Sequence, residues 1–312
     1  MNGAQSLIRT LYNGGITTCF MNPGTSEMHF VAALDSVPEM KSVLCLFEGV
    51  ATGCADGYAR MTGKPAATLL HLGPGLGNGI ANLHNAKKAH SPIVNIVGDH
   101  ATYHVQYDAP LTSDIEGIAR PVSGWVHTSQ DALSIATDGA AAIAAAQTPP
   151  GQVATLILPA NTAWNTAQGP APPQPIPQPS VVPCERIQYV AKLLKRQEDT
   201  VILIGNHVLG NEALSRLASC IASGTGARLI GNRAAARVPR GAGRPIVARL
   251  PYPVDQAIAM LEGTKHIILV GTKEPVGFFA YPNKPSLMAP PDAQIHVLAE
   301  AHEDMSAALN DL

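Results

Sequence analysis

Short apolar runs alternate with helical patterns along most of this chain, and the alternation limits its possible folds more than any other feature. In the first half, helical patterns are predicted at 5–12 and 48–61. Strands are predicted at 17–21, 43–47, 66–71, 92–97 and 153–158, and 43–47 is expected to be buried. Strands separated by helices need crossover connections, so the pattern predicts a parallel sheet.

The second half repeats the pattern. Its strands are predicted at 200–204, 227–230, 266–270 and 294–298. Its helices are predicted at 186–195, 212–222 and 254–261. The predicted fold class is therefore α/β, with two doubly wound parallel-sheet domains.

A proline-rich segment separates the two halves. Residues 169–183 read GPAPPQPIPQPSVVP and contain seven prolines. Such a segment is extended and semi-rigid, and it cannot continue a helix or a central strand. We therefore predict domains at 1–168 and 184–312 with a linker at 169–183.

Composition excludes several classes of protein. The net charge of −2 excludes a basic nucleic-acid-binding surface, and no apolar run is long enough to span a membrane. The five cysteines are scattered without a CxxC pair, so we expect no metal site. Charged residues make up only 14%, against about 25% in average proteins, which indicates subunit interfaces. We expect a cytoplasmic protein.

Polar and glycine-rich segments follow four predicted strands of the first domain. They are Asn22-Pro23-Gly24-Thr25, Glu48-Gly49, the segment from His71 to Gly79, and Gly98-Asp99-His100. Ligands of parallel sheets bind beyond the carboxyl ends of the strands, so we expect these segments to share one edge.

Glu48 has two interpretations. A carboxylate in the first turn of a helix complements the helix dipole, which is a purely structural role. Alternatively, a carboxylate directly after an apolar strand is buried, has a raised pKa and transfers protons.

The glycine-rich loop at 73–79 follows a predicted strand and is expected to open a helix. It also has two interpretations. It is either a tight turn that allows close helix–sheet packing or a place where a flat ligand meets bare backbone. It matches neither GxGxxG nor a phosphate-binding P-loop.

Three segments together resemble the pyrimidine-binding domain of thiamine diphosphate (ThDP) enzymes, notably acetolactate synthases and benzoylformate decarboxylase. They read NPGTSEMHF, LFEGVATGCADGYARMTGKPAATLLHLGPGLGNGIANLHNA and SPIVNIVGDH. The second half resembles the Rossmann-like central domain of the same family. The resemblance implies a ThDP-dependent 2-keto acid decarboxylase or carboligase.

The resemblance also implies roles for individual residues. The glutamate matching Glu48 hydrogen-bonds N1′ of the aminopyrimidine and thereby promotes loss of the C2 proton. His71 falls where benzoylformate decarboxylase-like enzymes carry a histidine that transfers protons. The cofactor-binding residues implied are Pro23, Gly24, Thr25, Glu48, Gly73, Pro74, Gly75 and Asn78.

One part of the family pattern is missing from this sequence. The GDG and downstream asparagine that hold Mg²⁺ and the diphosphate have no counterpart here. The resemblance therefore implies that the diphosphate and Mg²⁺ are held by another domain or by a partner chain, within a homodimer, a homotetramer or a complex with a second subunit. FAD is not expected.

Two alternatives to catalysis remain at this stage. The chain is either a non-catalytic or split subunit that binds a partner with the diphosphate site, or a plain nucleotide-binding α/β protein. The failed nucleotide fingerprints count against the second alternative.

Overall fold

The computed structural model describes all 312 residues, which divide into two compact units, Met1–Gln178 and Pro179–Leu312. Each unit contains one sheet of parallel strands with helices packed against it. The predicted α/β fold class is confirmed. The division between the units falls inside the segment 169–183, whose assignment as a linker stays a prediction.

The first unit has a six-stranded sheet. Its strands are β1 (Thr18–Asn22), β2 (Lys41–Leu44), β3 (Ala66–Leu70), β4 (Ile93–Asp99), β5 (Trp125–Thr128) and β6 (Val153–Pro159). Its helices are α1 (Gly3–Asn13), α2 (Met28–Leu34), α3 (Glu48–Thr62), α4 (Leu72–Ala89), α5 (Ile115–Ala119), α6 (Ile135–Gln147) and α7 (Ala160–Trp164). The spatial strand order is β2-β1-β3-β4-β6-β5.

Helices cover both faces of this sheet. One core cluster contains side chains of α1, α2 and α6, with Phe30 fully buried within it. A second cluster contains side chains of α3, α4 and α5, including Leu76 and Leu83. Because β3, β4 and β6 are covered on both faces, they read as mainly apolar runs, each with one buried polar residue in its interior: Thr68, Asn95 and Thr155.

The prediction of a buried strand at 43–47 is wrong. The strand β2 ends at Leu44, and all four of its residues are exposed. Leu46 is 94% exposed and Phe47 is 49% exposed, whereas Cys45 before them is buried. β2 lies at the edge of the sheet and pairs only with β1, so its apolar residues are left uncovered.

The second unit has a five-stranded sheet in the spatial order β11-β10-β7-β8-β9. Its strands are β7 (Thr200–Ile204), β8 (Arg228–Gly231), β9 (Ala248–Arg249), β10 (His266–Val270) and β11 (Gln294–Ala299). Its helices are α8 (Cys184–Leu194), α9 (Asn206–Gly210), α10 (Glu212–Thr225), α11 (Val254–Leu261) and α12 (Met305–Asp311). Most of the elements that the sequence did not predict are short and span too few residues to show a period. They include β5, α5, α7, α9, β9 and α12.

None of the helices combines the length and the hydropathy that a membrane crossing requires.

A chain of hydrogen-bonded rings in the second unit makes its stability depend on pH. Tyr189 Oη lies 3.3 Å from His296 Nδ1, and His296 Nε2 lies 3.2 Å from His266 Nδ1. Burial, and secondly the charge of His266, lowers the pKa of His296 below its ordinary value of 6.5. Below about pH 6.5 the unfolded chain therefore binds more protons than the folded chain, so stability falls as pH falls.

We expect hydrogen exchange in β10 and β11 to quicken as the pH falls from about 7.5 to 5, after correction for the intrinsic rate. His296→Asn should weaken this dependence, because the partly buried imidazole that resists protonation is gone. His302→Asn, which changes an exposed histidine of the same unit, serves as the control. An unchanged dependence in His296→Asn would contradict the prediction.

Candidate functional site

The carboxyl ends of β2, β1, β3 and β4 lie side by side at one edge of the first sheet, which we call the carboxyl edge. Met21 pairs with Leu44, Asn22 with Leu70, and Leu70 with Val97. The four segments singled out in the sequence therefore begin at neighbouring positions.

Glu48 is the first residue of α3 and is half-buried. Its Oε2 accepts a hydrogen bond of 3.0 Å from Nδ2 of Asn78. Its Oε1 lies 3.4 Å from the position that a Cβ would occupy at Gly75. The helix terminus favours a negative charge here, and bare backbone adjoins the carboxylate.

The glycine-rich segment lies entirely within a helix, so its prediction as a loop is wrong, whereas the expectation that the glycines open a helix is confirmed. α4 begins at Leu72 and contains Gly73, Gly75 and Gly79 in its first turns. Pro74 is exposed in the first turn, where its missing N–H has no intrahelical acceptor to lose. A helix rich in glycine is tolerated because its neighbours approach closely.

Two contacts show how close this approach is. A Cβ at Gly73 would overlap the side chain of Ser113, and a Cβ at Gly79 would lie 2.9 Å from Cγ2 of Thr52. Thr52 also donates a hydrogen bond of 3.0 Å from its Oγ1 to the carbonyl of Gly79. Close packing thus accounts for Gly73 and Gly79, whereas Gly75 adjoins Glu48.

Pro23, Gly24 and Thr25 form the turn after β1. Gly24 N–H donates to Glu27 Oε2 over 2.7 Å, and a Cβ at Gly24 would overlap the imidazole of His71. Pro23 is partly exposed and Thr25 is exposed. The turn therefore brings bare backbone against the ring of His71.

His71 directly follows β3 and precedes α4, and about a quarter of its side chain is exposed. Its Nδ1 lies 2.7 Å from Oε2 of Glu27. Leu72, the next residue, is fully buried with a left-handed φ of 51°. Side chains other than glycine rarely adopt this conformation, so the turn that presents His71 is locally strained.

Glu27 is the buried carboxylate of this edge, and sequence reasoning missed it. Its side chain is 0% exposed, and burial raises its pKa, against opposing hydrogen bonds from Gly24 and His71. Glu27 Oε1 is buried without a hydrogen-bond partner. One signal could have revealed it: an acidic residue three positions after Gly24, directly before the apolar stretch of α2.

The end of β4 completes the edge. Burial raises the pKa of Asp99, although the N–H of His100 donates to its Oδ1 over 2.7 Å. His100 Nε2 is buried without a hydrogen-bond partner. No group of three or more histidine, cysteine or acidic side chains in the chain is arranged to hold a metal ion.

Comparison with known proteins gives consistent results. Residues 1–141 match the family model described as thiamine pyrophosphate enzyme, N-terminal TPP binding domain. The whole chain aligns with a Mycobacterium tuberculosis protein provisionally named acetolactate synthase large subunit IlvX. The sequence identity is 52%, and the alignment covers 60% of the length of that protein. Benzoylformate decarboxylase from Pseudomonas aeruginosa aligns with 46% of this chain at 34% sequence identity. That alignment covers 27% of the length of the decarboxylase.

A solved structure shares the fold of the full chain. The ThDP-dependent 4-hydroxybenzoylformate decarboxylase of Rhodococcus jostii RHA1 superposes with a TM-score of 0.84 and 21% identity. The match covers 99% of this chain and 62% of that structure. The chain therefore spans about three fifths of the length of the relatives that it matches throughout.

Proposed function

We propose that this chain supplies the aminopyrimidine side of a ThDP site. The premise is that the chain belongs to the ThDP-dependent enzymes through its residues 1–141. The whole protein would be a 2-keto acid decarboxylase or carboligase of the acetolactate synthase-like kind. One observation carries the proposal: a half-buried glutamate at a helix N-terminus faces bare backbone beside a histidine.

The residues of the carboxyl edge fit an aminopyrimidine. A flat ring with a basic nitrogen needs a hydrogen-bonding carboxyl group and backbone without side chains. Glu48 Oε1 has the bare backbone of Gly75 beside it, while Asn78 engages the other oxygen. The bare backbone of Gly24 is covered by the imidazole of His71, so this glycine allows the histidine to lie at the same edge.

Each residue has a defined task in this proposal. When bound, ThDP supplies an electron sink for loss of CO₂ from a 2-keto acid. Glu48 would hold the pyrimidine through its Oε1 and share a proton there, while Asn78 donates a hydrogen bond to Oε2 and so fixes the carboxylate. His71 would take up and release a proton on the substrate side. The other residues assigned to the cofactor side in this proposal are Pro23, Gly24, Thr25, Gly73, Pro74 and Gly75.

The diphosphate and Mg²⁺ belong in this proposal to a further domain or a partner chain. The exposed apolar surface around Glu48 supports such a partner. Leu44 is 65% exposed, and Leu46, Phe47 and Val50 are also exposed on both sides of the glutamate. Contiguous exposed apolar residues are typical of interaction surfaces. A homodimer, a homotetramer or a second subunit would each cover them.

Reconstitution tests the function. The part of the Mycobacterium relative that this chain does not match, added as a separate chain with ThDP and Mg²⁺, should form a complex with this chain. We expect the mixture, and neither chain alone, to release CO₂ from at least one acid in a panel of pyruvate, 2-ketobutyrate and benzoylformate. Leu46→Asp should weaken the complex at least about tenfold, because an unpaired charge in an interface costs more than about 1.4 kcal/mol.

Sedimentation measures the complex, and Leu133→Asp is the matched control because Leu133 is an exposed leucine outside this surface. A complex that binds ThDP but releases no CO₂ would favour a non-catalytic subunit. A mixture that binds no ThDP would contradict the proposal altogether.

A further inference from the structure

Glu27 is a carboxylate whose side chain has no solvent-exposed surface. Its Oε2 lies 2.7 Å from two nitrogen atoms, the backbone N of Gly24 and Nδ1 of His71. Its Oε1 points toward the backbone of Gly98, where an added Cβ would overlap it. Three chain segments thus enclose one carboxylate. Burying an ionised carboxylate away from water costs free energy unless partners compensate for the lost hydration.

The hydrogen-bond partners determine where the proton lies. A backbone N–H can only donate, so Oε2 must accept from Gly24. An ionised Oε2 has a further lone pair available, and the nearest remaining donor is Nδ1–H of His71. A neutral imidazole carries one proton, so Nε2 is then the nitrogen with the free lone pair.

We propose that Glu27 is a positioning residue that holds His71 in the Nδ1–H tautomer and leaves Nε2 to take up and release protons. The catalytic meaning of this arrangement rests on the proposed function, whereas the tautomer is a property of the chain itself. When Nε2 takes up a proton, the adjacent carboxylate stabilises the resulting positive charge.

The geometry makes the position of Glu27 depend on two glycines. Only a residue without a side chain leaves room at Gly98 for Oε1, and only glycine at position 24 leaves room for the imidazole. The short helical turn Thr25–Glu27 and the start of α2 then fix the backbone of the glutamate. Because few rotamers of Glu27 fit this space, its carboxylate stays within hydrogen-bond distance of the imidazole of His71.

A simpler role for Glu27 is capping of the turn after β1. Glu27 does accept the N–H of Gly24, and that bond would stabilise the turn without any histidine. The capping role alone predicts no effect of Glu27 on the tautomer of His71. The two roles therefore differ in a spectroscopic property.

Nitrogen-15 NMR of the histidine side chains tests the proposal on the chain as it exists, without cofactor. Two-bond proton–nitrogen correlations at about pH 8, where an ordinary histidine is neutral, report which ring nitrogen is protonated. The variant His71→Gln assigns the signal. We expect the wild-type ring to carry its proton on Nδ1.

Two variants should abolish the Nδ1–H signal of His71. Glu27→Met removes the acceptor, and Gly98→Ala adds a methyl group that displaces the carboxylate without deleting it. Glu27→Gln should retain the signal, since its amide oxygen still accepts from both nitrogens. Asp138→Asn alters another histidine–carboxylate pair, with His127 at 3.2 Å, and should leave His71 unchanged.

The wild-type spectrum alone can overturn the proposal. A proton found on Nε2 and not on Nδ1 would mean that Glu27 itself holds the shared proton. Retention of the Nδ1–H signal in both Glu27→Met and Gly98→Ala would also refute it. Either result would leave the proposed function standing, because reconstitution and CO₂ release test that function separately.

Discussion

Glu48→Gln is expected to slow hydrogen–deuterium exchange at C2 of bound ThDP by at least about 100-fold in the reconstituted complex. Proton transfer by a positioned side chain contributes about 10²- to 10⁴-fold. A glutamine amide can hydrogen-bond the pyrimidine but cannot share a proton with it. Quenched-flow exchange followed by proton NMR of the released cofactor measures the rate.

We expect that the slower exchange at C2 in Glu48→Gln does not result from weaker binding of ThDP. Glu48 is only half-buried, and the amide oxygen of the substituted glutamine can still accept the hydrogen bond from Asn78, so the site should keep its shape. The affinity for ThDP should therefore change far less than the exchange rate. Glu39→Gln, at an exposed glutamate before β2, is the matched control. Equal exchange rates in wild type and Glu48→Gln would remove Glu48 from its proposed role.

His71→Ala is expected to lower turnover of the best 2-keto acid by about 100-fold, with less than about a threefold change in the dissociation constant of ThDP. The physical reason is that the imidazole supplies a proton-transfer group, while bare backbone and Glu48 border the pyrimidine. Steady-state CO₂ release and calorimetric titration with ThDP measure the two quantities.

His127→Ala provides the comparison, because His127 also contacts a carboxylate, Asp138, but lies on β5 at the far edge of the sheet. It should affect neither turnover nor affinity. If His71→Ala instead weakens ThDP binding strongly and leaves turnover intact, His71 is a structural residue of the pocket.

The resemblance to ThDP enzymes in the sequence is confirmed, and so is the α/β fold class. Both could be predicted because they depend on patterns among residues that are close together in the sequence. An apolar run followed by a polar turn marks the end of a buried strand, as at β3 and His71. The roles of Glu48, His71 and the other site residues stay predictions until the experiments above are done.

Other features could not be predicted because they depend on distant parts of the chain. The apolar run at 43–47 has the composition of a buried strand, yet the sheet order places it at an edge. The glycines of 73–79 read as a loop that leads into a helix, yet they lie inside the helix, where Ser113 and Thr52 pack closely against Gly73 and Gly79. A local window of sequence contains neither neighbour.

The amino-acid sequence by itself determined which segments meet at the carboxyl edge, because parallel strands joined by crossover helices must all end on the same side. Tertiary structure decided which carboxylate is buried. One of the two interpretations of the sequence has Glu48 buried, yet its side chain is only half-buried. Glu27, which the sequence did not single out, is enclosed by Gly24, His71 and Gly98. Burial is set by whichever segments pack against a side chain, and these come from positions up to 71 residues away along the chain, the separation of Glu27 and Gly98.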